Sequence, residues 1–391
     1  MKAALLVLSD IHIASATDPI LSTPSLIARA CYATLPLVDA LVILVAGDVA
    51  FSGKSDQYDL ALKFLREIGA QLKAEREVPI SFVVVPGNHD CDFEKDSPMR
   101  QALIDSVLRG STADLQIVEQ CTGVQGAFFE FRDALEGKQA QKNLYDRLWR
   151  VVRIPVGSEV ITVEAINMAW LSKLNETVGC LTFPWQDVAP AVDGSAAGVR
   201  IAIQHHPANW MSQHTYRPYR AFLKQRSHLV ITGHEHVPNV GLIIDTEAAS
   251  TTFAECGPLQ EGNSLEQSSF VLLTIDTAEE RMTARSISFD GEKYVPIQDE
   301  PWEYDRALTL AAEAPFVLRP AFERLLNDPG APIRDVNGNT IELVDFFVHP
   351  DMIDLVADGK SGTVSLTSSR ELGNPEFIRS GVFLVGESKS G

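Results

Sequence analysis

Six of the chain's nine histidines, His12, His89, His205, His206, His234 and His236, stand just beyond short apolar runs, together with Asp10, Asp48 and Asn88. Ala4–Leu8 leads into Ser9-Asp10-Ile11-His12, Leu41–Val45 into Gly47-Asp48, and Ser81–Val85 into Gly87-Asn88-His89-Asp90. Ile201–Ile203 leads into His205-His206-Pro207, and Leu229–Ile231 into Gly233-His234-Glu235-His236. One histidine in such a setting is usually a hydrogen-bonded core residue. Five tips that each join a buried run to a ligand-type residue are a different matter. Carboxylate, imidazole and amide oxygen suit hard or borderline divalent cations, and the lack of thiolates at the tips argues against a soft metal.

Runs this short and rich in Val, Ile and Leu predict strands buried on both faces. Between the second and third runs, Leu60, Phe64, Leu65, Ile68 and Leu72 recur at helical spacing, which predicts a helix over Asp56–Ala74. Strand, helix, strand with polar tips is the habit of an α/β fold. After His236, Val240–Ile244, Phe253–Cys256, Phe270–Ile275 and Thr283–Phe289 predict successive strands. The expectation is that these form a second, largely antiparallel sheet facing the first. Residues 91–150 are mostly helical in pattern and are expected to form a cap or insertion.

At 391 residues the chain exceeds what one core usually fills, so one large domain with an appendage, or two domains, is expected. An apolar fraction of 45% and a charged fraction of 22% are those of a globular protein. No stretch approaches the roughly 20 apolar residues of a membrane span. The opening Met1–His12 lacks a small-residue cleavage site and is taken as a first strand, not a signal sequence. Cys31, Cys91, Cys121, Cys180 and Cys256 are scattered and odd in number, which fits reduced thiols and a cytoplasmic location. The net charge of −19 argues against a broad basic surface for nucleic acid. It leaves room for a phosphate-bearing substrate, because two divalent cations reverse the local field.

Taken in order, the blocks are D-x-H (Asp10, His12), G-D (Gly47, Asp48), G-N-H-D (Gly87–Asp90), H-x-P (His205–Pro207) and G-H-x-H (Gly233–His236). Over about residues 1–290 this order resembles the calcineurin-like metallophosphoesterases. The doubled histidine of His205-His206-Pro207 resembles the branch that holds class III cyclic-nucleotide and glycerophosphodiester phosphodiesterases. The resemblance implies a four-layer αββα sandwich of two mixed sheets flanked by helices. It also implies two divalent ions: manganese first, with iron, zinc, nickel or cobalt as alternatives. Asp10, His12 and His236 would hold one ion, Asn88, His205 and His234 the other, and Asp48 would bridge them. A shared carboxylate keeps such ions about 3.5–4 Å apart, and a bridging hydroxide would then be the nucleophile. His89 would be the acid that protonates the leaving alkoxide, or a donor to the phosphate.

Other positions leave alternatives open. Asp90 either orients His89 or caps its own backbone. His206 contacts substrate or supports a ligand, and Ser52 and Gly53 shape the loop after Asp48. Trp210, Tyr216 and Tyr219 stack on a nucleobase or, the favoured reading, pack a loop. His214, His228 and His349 are assigned to structure or surface.

Residues 1–298 are thus expected to form the hydrolase, and residues 299–391 a connector broken by Pro315, Pro320, Pro329 and Pro332. The connector ends in Val382–Val385 and Gly386-Glu-Ser-Lys-Ser-Gly391, a strand-like run entering a G-x-x-x-x-G spacing that stops before the Lys of a P-loop. This resembles STAND-type NTPases, in which an effector domain precedes a P-loop module, often in antiviral defence. The expected partners are a phosphoester substrate (nucleotide or nucleic acid), a covalently linked NTPase domain, a second copy of the chain, and no membrane. The expected function is phosphodiester hydrolysis, with a nuclease effector as a related form. The competing readings are a phosphomonoesterase or protein phosphatase and, from a different class, a metal-binding interaction module. His89 speaks against that last one, because a scaffold has no need of a histidine that is not a ligand.

Overall fold

The structure is a computed structural model that describes residues 1–137, 144–188, 198–243, 251–303, 351–354 and 365–368. In chain order the strands are β1 (Lys2–Leu8), β2 (Ala40–Ala46), β3 (Ile80–Val85), β4 (Trp149–Val156), β5 (Glu159–Ile166), β6 (Val199–Ile203) and β7 (Leu229–Thr232). They continue with β8 (Asn239–Ile243), β9 (Thr251–Glu255), β10 (Ser269–Asp276), β11 (Arg281–Phe289), β12 (Tyr294–Glu303), β13 (Asp351–Asp354) and β14 (Ser365–Ser368). The helices are α1 (Pro24–Cys31), α2 (Ser55–Glu75), α3 (Pro98–Leu108), α4 (Leu115–Thr122), α5 (Gly126–Glu136), α6 (Trp185–Val188) and α7 (Gln213–Arg226).

The first sheet has the order β12-β11-β10-β1-β2-β3, the second β4-β5-β6-β7-β9-β8. β1, β2 and β3 are parallel, with Leu5 opposite Val42 and Ile43 opposite Phe82. β5, β6, β7 and β9 are likewise parallel. Both sheets are mixed, because β10 joins β1 antiparallel and the β4–β5 and β8–β9 pairs are antiparallel.

Alternation along the buried strands builds the layers. From β1, Ala3, Leu5 and Val7 enter the core between the sheets, whereas Ala4, Leu6 and Leu8 enter a core against helices. Ile201 and Ile203 of β6 likewise face the central core, and Ala202 faces outward. α1, α2 and α5 cover the first sheet's outer face, α2 through Ala61, Phe64, Leu65, Ile68 and Leu72 at successive turns. α3, α4 and α7 cover the second sheet, around Trp149 and Trp170. Burying each of these Leu, Ile or Phe side chains contributes about 1.5–3 kcal/mol. The four-layer α/β sandwich expected from the sequence is therefore the observed fold.

Two details differ from expectation. The strands after His236 do not make the second sheet by themselves: β8 and β9 complete it, but β10, β11 and β12 extend the first. The free edge of β1 takes β10, Leu5 opposite Leu273, across a separation that composition does not reveal. The second sheet instead starts at β4 and β5, a hairpin turning at Gly157 with φ +61°. The helical segment from Cys91 onward is built into the helical layers: α3 and α4 lie in one, α5 in the other.

The chain divides into two compact units, Met1–Leu310 and Ala311–Gly391. β12 carries the first past residue 298 and pairs along β11 from Tyr294 to Glu303. In the second, β13 and β14 form an antiparallel pair. The Val382–Gly391 spacing, His349 and the four prolines from Pro315 to Pro332 lie outside the described residues.

Candidate metal centre

The five polar tips meet at the carboxyl ends of β1, β2, β3, β6 and β7, where ligand sites of open α/β sheets form. Backbone bonds staple the loops together. Asp10 N donates to the Gly47 carbonyl at 3.1 Å, and Ile11 N and His12 N both donate to that of Asp48 at 2.9 Å. Gly233 N donates to the His205 carbonyl at 2.9 Å, and His234 N reaches across to Asp10 Oδ2 at 3.2 Å.

Asp10, His12, Asp48, His234 and His236 all adopt left-handed backbone, with φ of 51°, 50°, 53°, 72° and 55°. For residues with a Cβ such conformations cost of order 1–3 kcal/mol each and persist only where the surrounding structure over-determines them, which happens most at functional sites. Gly47 has φ +93°, and a Cβ there would lie 2.5 Å from His205 Nδ1. The glycine thus lets the loop close onto the imidazole.

Asp10 Oδ1 lies 3.1 Å from His236 Nε2 and 3.8 Å from His12 Nε2. Its Oδ2 accepts from Ser9 Oγ at 2.5 Å, which fixes the carboxylate's orientation. Asp48 Oδ1 accepts from His89 N at 2.8 Å, and Oδ2 faces His205 Nε2 at 3.2 Å and His12 Nε2 at 4.0 Å. One oxygen of Asp48 therefore looks toward both halves of the cluster. His205 donates from Nδ1 to the Ala46 carbonyl at 2.7 Å, so its Nε2 bears the lone pair when the ring is neutral. That lone pair faces the Asp48 carboxylate and, at 3.2 Å, His234 Nδ1. Asn88 Oδ1 and His12 Nδ1 are buried without a hydrogen-bond partner.

Acceptors facing acceptors require a cation between them. In the metal-free chain a proton takes that part. Burial opposes charge on His205, yet the facing Asp48 carboxylate, its hydrogen bond and Asp10 raise the imidazole to about 10. Burial would likewise raise Asp48, but His205 and His12 hold it well below the usual carboxylate range. Burial and the neighbouring His206 and His205 rings press His234 down to about 2, so it stays neutral with a nitrogen free to ligate. The ligand atoms of Asp10, His12 and His236, of Asp10, Asp48 and His205, and of His205, His206 and His234 lie within 4.8 Å of one another in each group. Donor types, orphaned acceptors and proton positions all fit divalent ions.

The structure brings Asp10, His12, Asp48, His205, His234 and His236 together, and Asn88, with its Oδ1 buried and unpartnered, stands next to His89, whose backbone N donates to Asp48. His89 stands beside them, its ring 4.6 Å from that of His12, and its Nδ1 donates to the Phe51 carbonyl at 2.8 Å. That bond corrects the pairing of Asp90 with His89. Fully buried, Asp90 instead accepts from Val49 N at 3.2 Å and Gly87 N at 2.9 Å through Oδ2, and from Ala50 N at 3.0 Å and Tyr58 Oη at 2.8 Å through Oδ1. It ties the loop after β2 to the loop after β3. Burial and the nearby Asp48 charge push Asp90 up to about 6.

His206 is fully buried and contacts Glu176. Tyr219 is buried and donates to Gln204, which fits packing, whereas the half-buried Trp210 sets its ring 4.2 Å from that of His234. Ser52 N donates to Gln57 Oε1 at the start of α2, and Gly53 turns at φ +67° against the backbone of Cys91 and Asp92. His214 is exposed on α7, and His228 is buried, accepting from Arg200 N. Ser9, Glu176 and the Phe51 carbonyl went unpredicted. Ser9 adjoins a motif and could have been suspected, but an acid in the loop Ser172–Gly179 carries no spacing signal.

A mixed α/β sandwich with carboxylate, imidazole and amide donors at facing strand ends defines a metallohydrolase scaffold. The family model described as calcineurin-like phosphoesterase matches residues 3–238, and the chain belongs to that family. No curated protein sequence matches it. Solved structures that resemble it include the calcineurin-like phosphoesterase YfkN from Bacillus subtilis, 10% identical with a TM-score of 0.35, covering 78% of this chain and 91% of that one. Zinc-complexed wild-type Vps29 from Entamoeba histolytica is 13% identical with a TM-score of 0.31, covering 77% and 99% respectively. Vacuolar protein sorting 29 from Cryptosporidium parvum is 12% identical with a TM-score of 0.32, covering 77% and 98%. Among the described residues no helix is long and apolar enough to cross a membrane.

Proposed function

We propose that this chain is a two-ion phosphodiesterase acting on a nucleotide or nucleic-acid diester, with manganese as the working ion. One observation carries the proposal: Asp48 Oδ2 faces His12 Nε2 on one side at 4.0 Å and His205 Nε2 on the other at 3.2 Å. Asp10, His12 and His236 would hold one ion and Asn88, His205 and His234 the other, with Asp48 shared between the two sets. When bound, such ions supply positive charge for the phosphoryl oxygens and lower the pKa of a water.

The chain's own residues do the remaining work. His89 has Nδ1 committed to the Phe51 carbonyl, so Nε2 is the nitrogen that delivers a proton to the departing alkoxide. Its backbone N–H fixes Asp48, which ties the acid's position to that of the shared carboxylate. Asp90 keeps both loops in register. The role of defence effector with a linked NTPase domain is part of the same proposal and rests on the Val382–Gly391 spacing alone.

The test is a substrate panel with the manganese-loaded protein: a generic diester, a monoester, cyclic nucleotides, and single- and double-stranded nucleic acid. Diesters should turn over fastest. Exclusive monoester hydrolysis would sink the diester assignment, and inertness of the loaded protein toward every member would sink the enzyme.

A further inference from the structure

Glu176 sits behind the second half of the centre with its side chain only 6% exposed. Its Oε2 lies 2.9 Å from Nε2 of His206, whose side chain is fully buried. A carboxylate only accepts, so Nε2 carries the proton and Nδ1 bears the lone pair. That Nδ1 is buried without a partner. A satisfied core histidine would have both nitrogens engaged, and His206 has one.

The ring's surroundings say where the free lone pair belongs. The His206 centroid lies 4.3 Å from that of His234 and 4.9 Å from that of His205, and one ligand nitrogen from each of the three lies within 4.8 Å of the others. The backbone is held as well: Gln204 Nε2 donates to the His206 carbonyl at 2.8 Å, and Tyr219 Oη donates to Gln204 Oε1 at 2.6 Å. His206 is therefore anchored through both ring and main chain, with an unused donor nitrogen beside two ligand imidazoles.

We propose that His206 is a further side-chain ligand of the second ion, and that Glu176 is the positioning residue that fixes its tautomer. A carboxylate on the far nitrogen of a ligating imidazole sets ring orientation and raises ligand basicity. The inference rests on the two-ion reading and deepens it. With three imidazoles and one amide, the second half is nitrogen-rich, whereas the first has the Asp10 carboxylate with two imidazoles. Imidazole favours borderline transition ions over magnesium or calcium. The second position should therefore select manganese, cobalt or zinc against magnesium more strongly than the first does.

The experiment titrates metal-free full-length protein with cobalt, following binding by calorimetry and the ligand field by visible absorption. Wild type, His206→Gln, Glu176→Ala and Glu176→Gln are compared, and circular dichroism verifies the fold of each. Two ions on the wild type test the two-ion reading by themselves, so failure there is distinct from failure of the inference. Given two ions, His206→Gln and Glu176→Ala should weaken the second by about 10–100-fold and leave the first unchanged. Glu176→Gln, which still offers an acceptor oxygen, should lose less. The visible band of the second cobalt should shift in His206→Gln. Wild-type affinity and an unshifted band in folded His206→Gln would overturn the proposal. If that variant does not fold, Glu176→Ala decides: a second-ion affinity and spectrum identical to wild type in folded Glu176→Ala would overturn it equally.

Discussion

Strand β6 has a buried charge cluster at each end, and the two are built on opposite logic. Near its start, Arg200 donates to Glu164 Oε1, and Arg226 Nε donates to both Glu164 oxygens at 2.9 Å. The Arg226 guanidinium also lies 4.9 Å from the Trp149 ring centroid. Glu164 and Arg200 are no more than 1% exposed, yet opposite charges face one another, so the charge of Glu164 is met within the protein even though Arg200 Nε and Nη1 have no hydrogen-bond partner. Just past the strand's other end, His205 when neutral presents a lone pair to the Asp48 carboxylate and to His234, and only a cation, a proton in the metal-free chain, can join them. Burial is the same at both ends, and the sign of what faces what differs. Buried charge by itself marks a structural knot as readily as a site. Buried acceptors turned on one another mark a place for a cation.

Three substitutions probe the two clusters, the largest expected effect first. His89→Ala should keep the metals, because its ring hydrogen-bonds a carbonyl and its backbone N–H remains to hold Asp48. Turnover should fall by about 10²–10⁴, most for diesters with poor leaving groups. Unchanged hydrolysis of such a diester would remove His89 from the chemistry.

Glu164→Gln attacks the knot instead. Two buried guanidinium groups would lose their counter-charge, and denaturant unfolding should report a loss of about 3–5 kcal/mol. Metal content of the folded fraction should not change. A loss of metal would show that the two ends of β6 are coupled and not independent.

Asp90→Asn is the subtlest. Asp90 accepts four hydrogen bonds, and the amide that replaces one oxygen would point hydrogens at donors. A stability loss of about 1–3 kcal/mol is expected, with metals retained. Ejection of metal by this variant would make Asp90 part of the centre, not a clamp on its loops.

Much of the centre was legible because each ligand candidate sits directly after an apolar run, and parallel strands carry their functional groups at one end. The strand–helix–strand unit from β2 through α2 to β3 was legible for the same local reason, since both periodicities lie in the sequence. What escaped depends on contacts between distant residues. Leu5 pairs with Leu273, and no local pattern announces that β10 joins β1. The β4–β5 hairpin did carry a signal: Val152, Ile154 and Val156 are buried in alternation with the exposed Arg153 and Pro155. The helical expectation ended at residue 150, and no strand was expected from the alternation that follows it. Glu176 could not be found from sequence, because only the fold sets this loop acid against His206.

The most direct test of the central claim is the number of ions that the chain holds. Metal-free protein, loaded with manganese and freed of excess, should contain two ions per chain by elemental analysis, and Asp48→Asn should lose this pair, since the shared carboxylate serves both. A wild-type content fixed at one ion, or an Asp48→Asn protein that still holds two, would contradict the account.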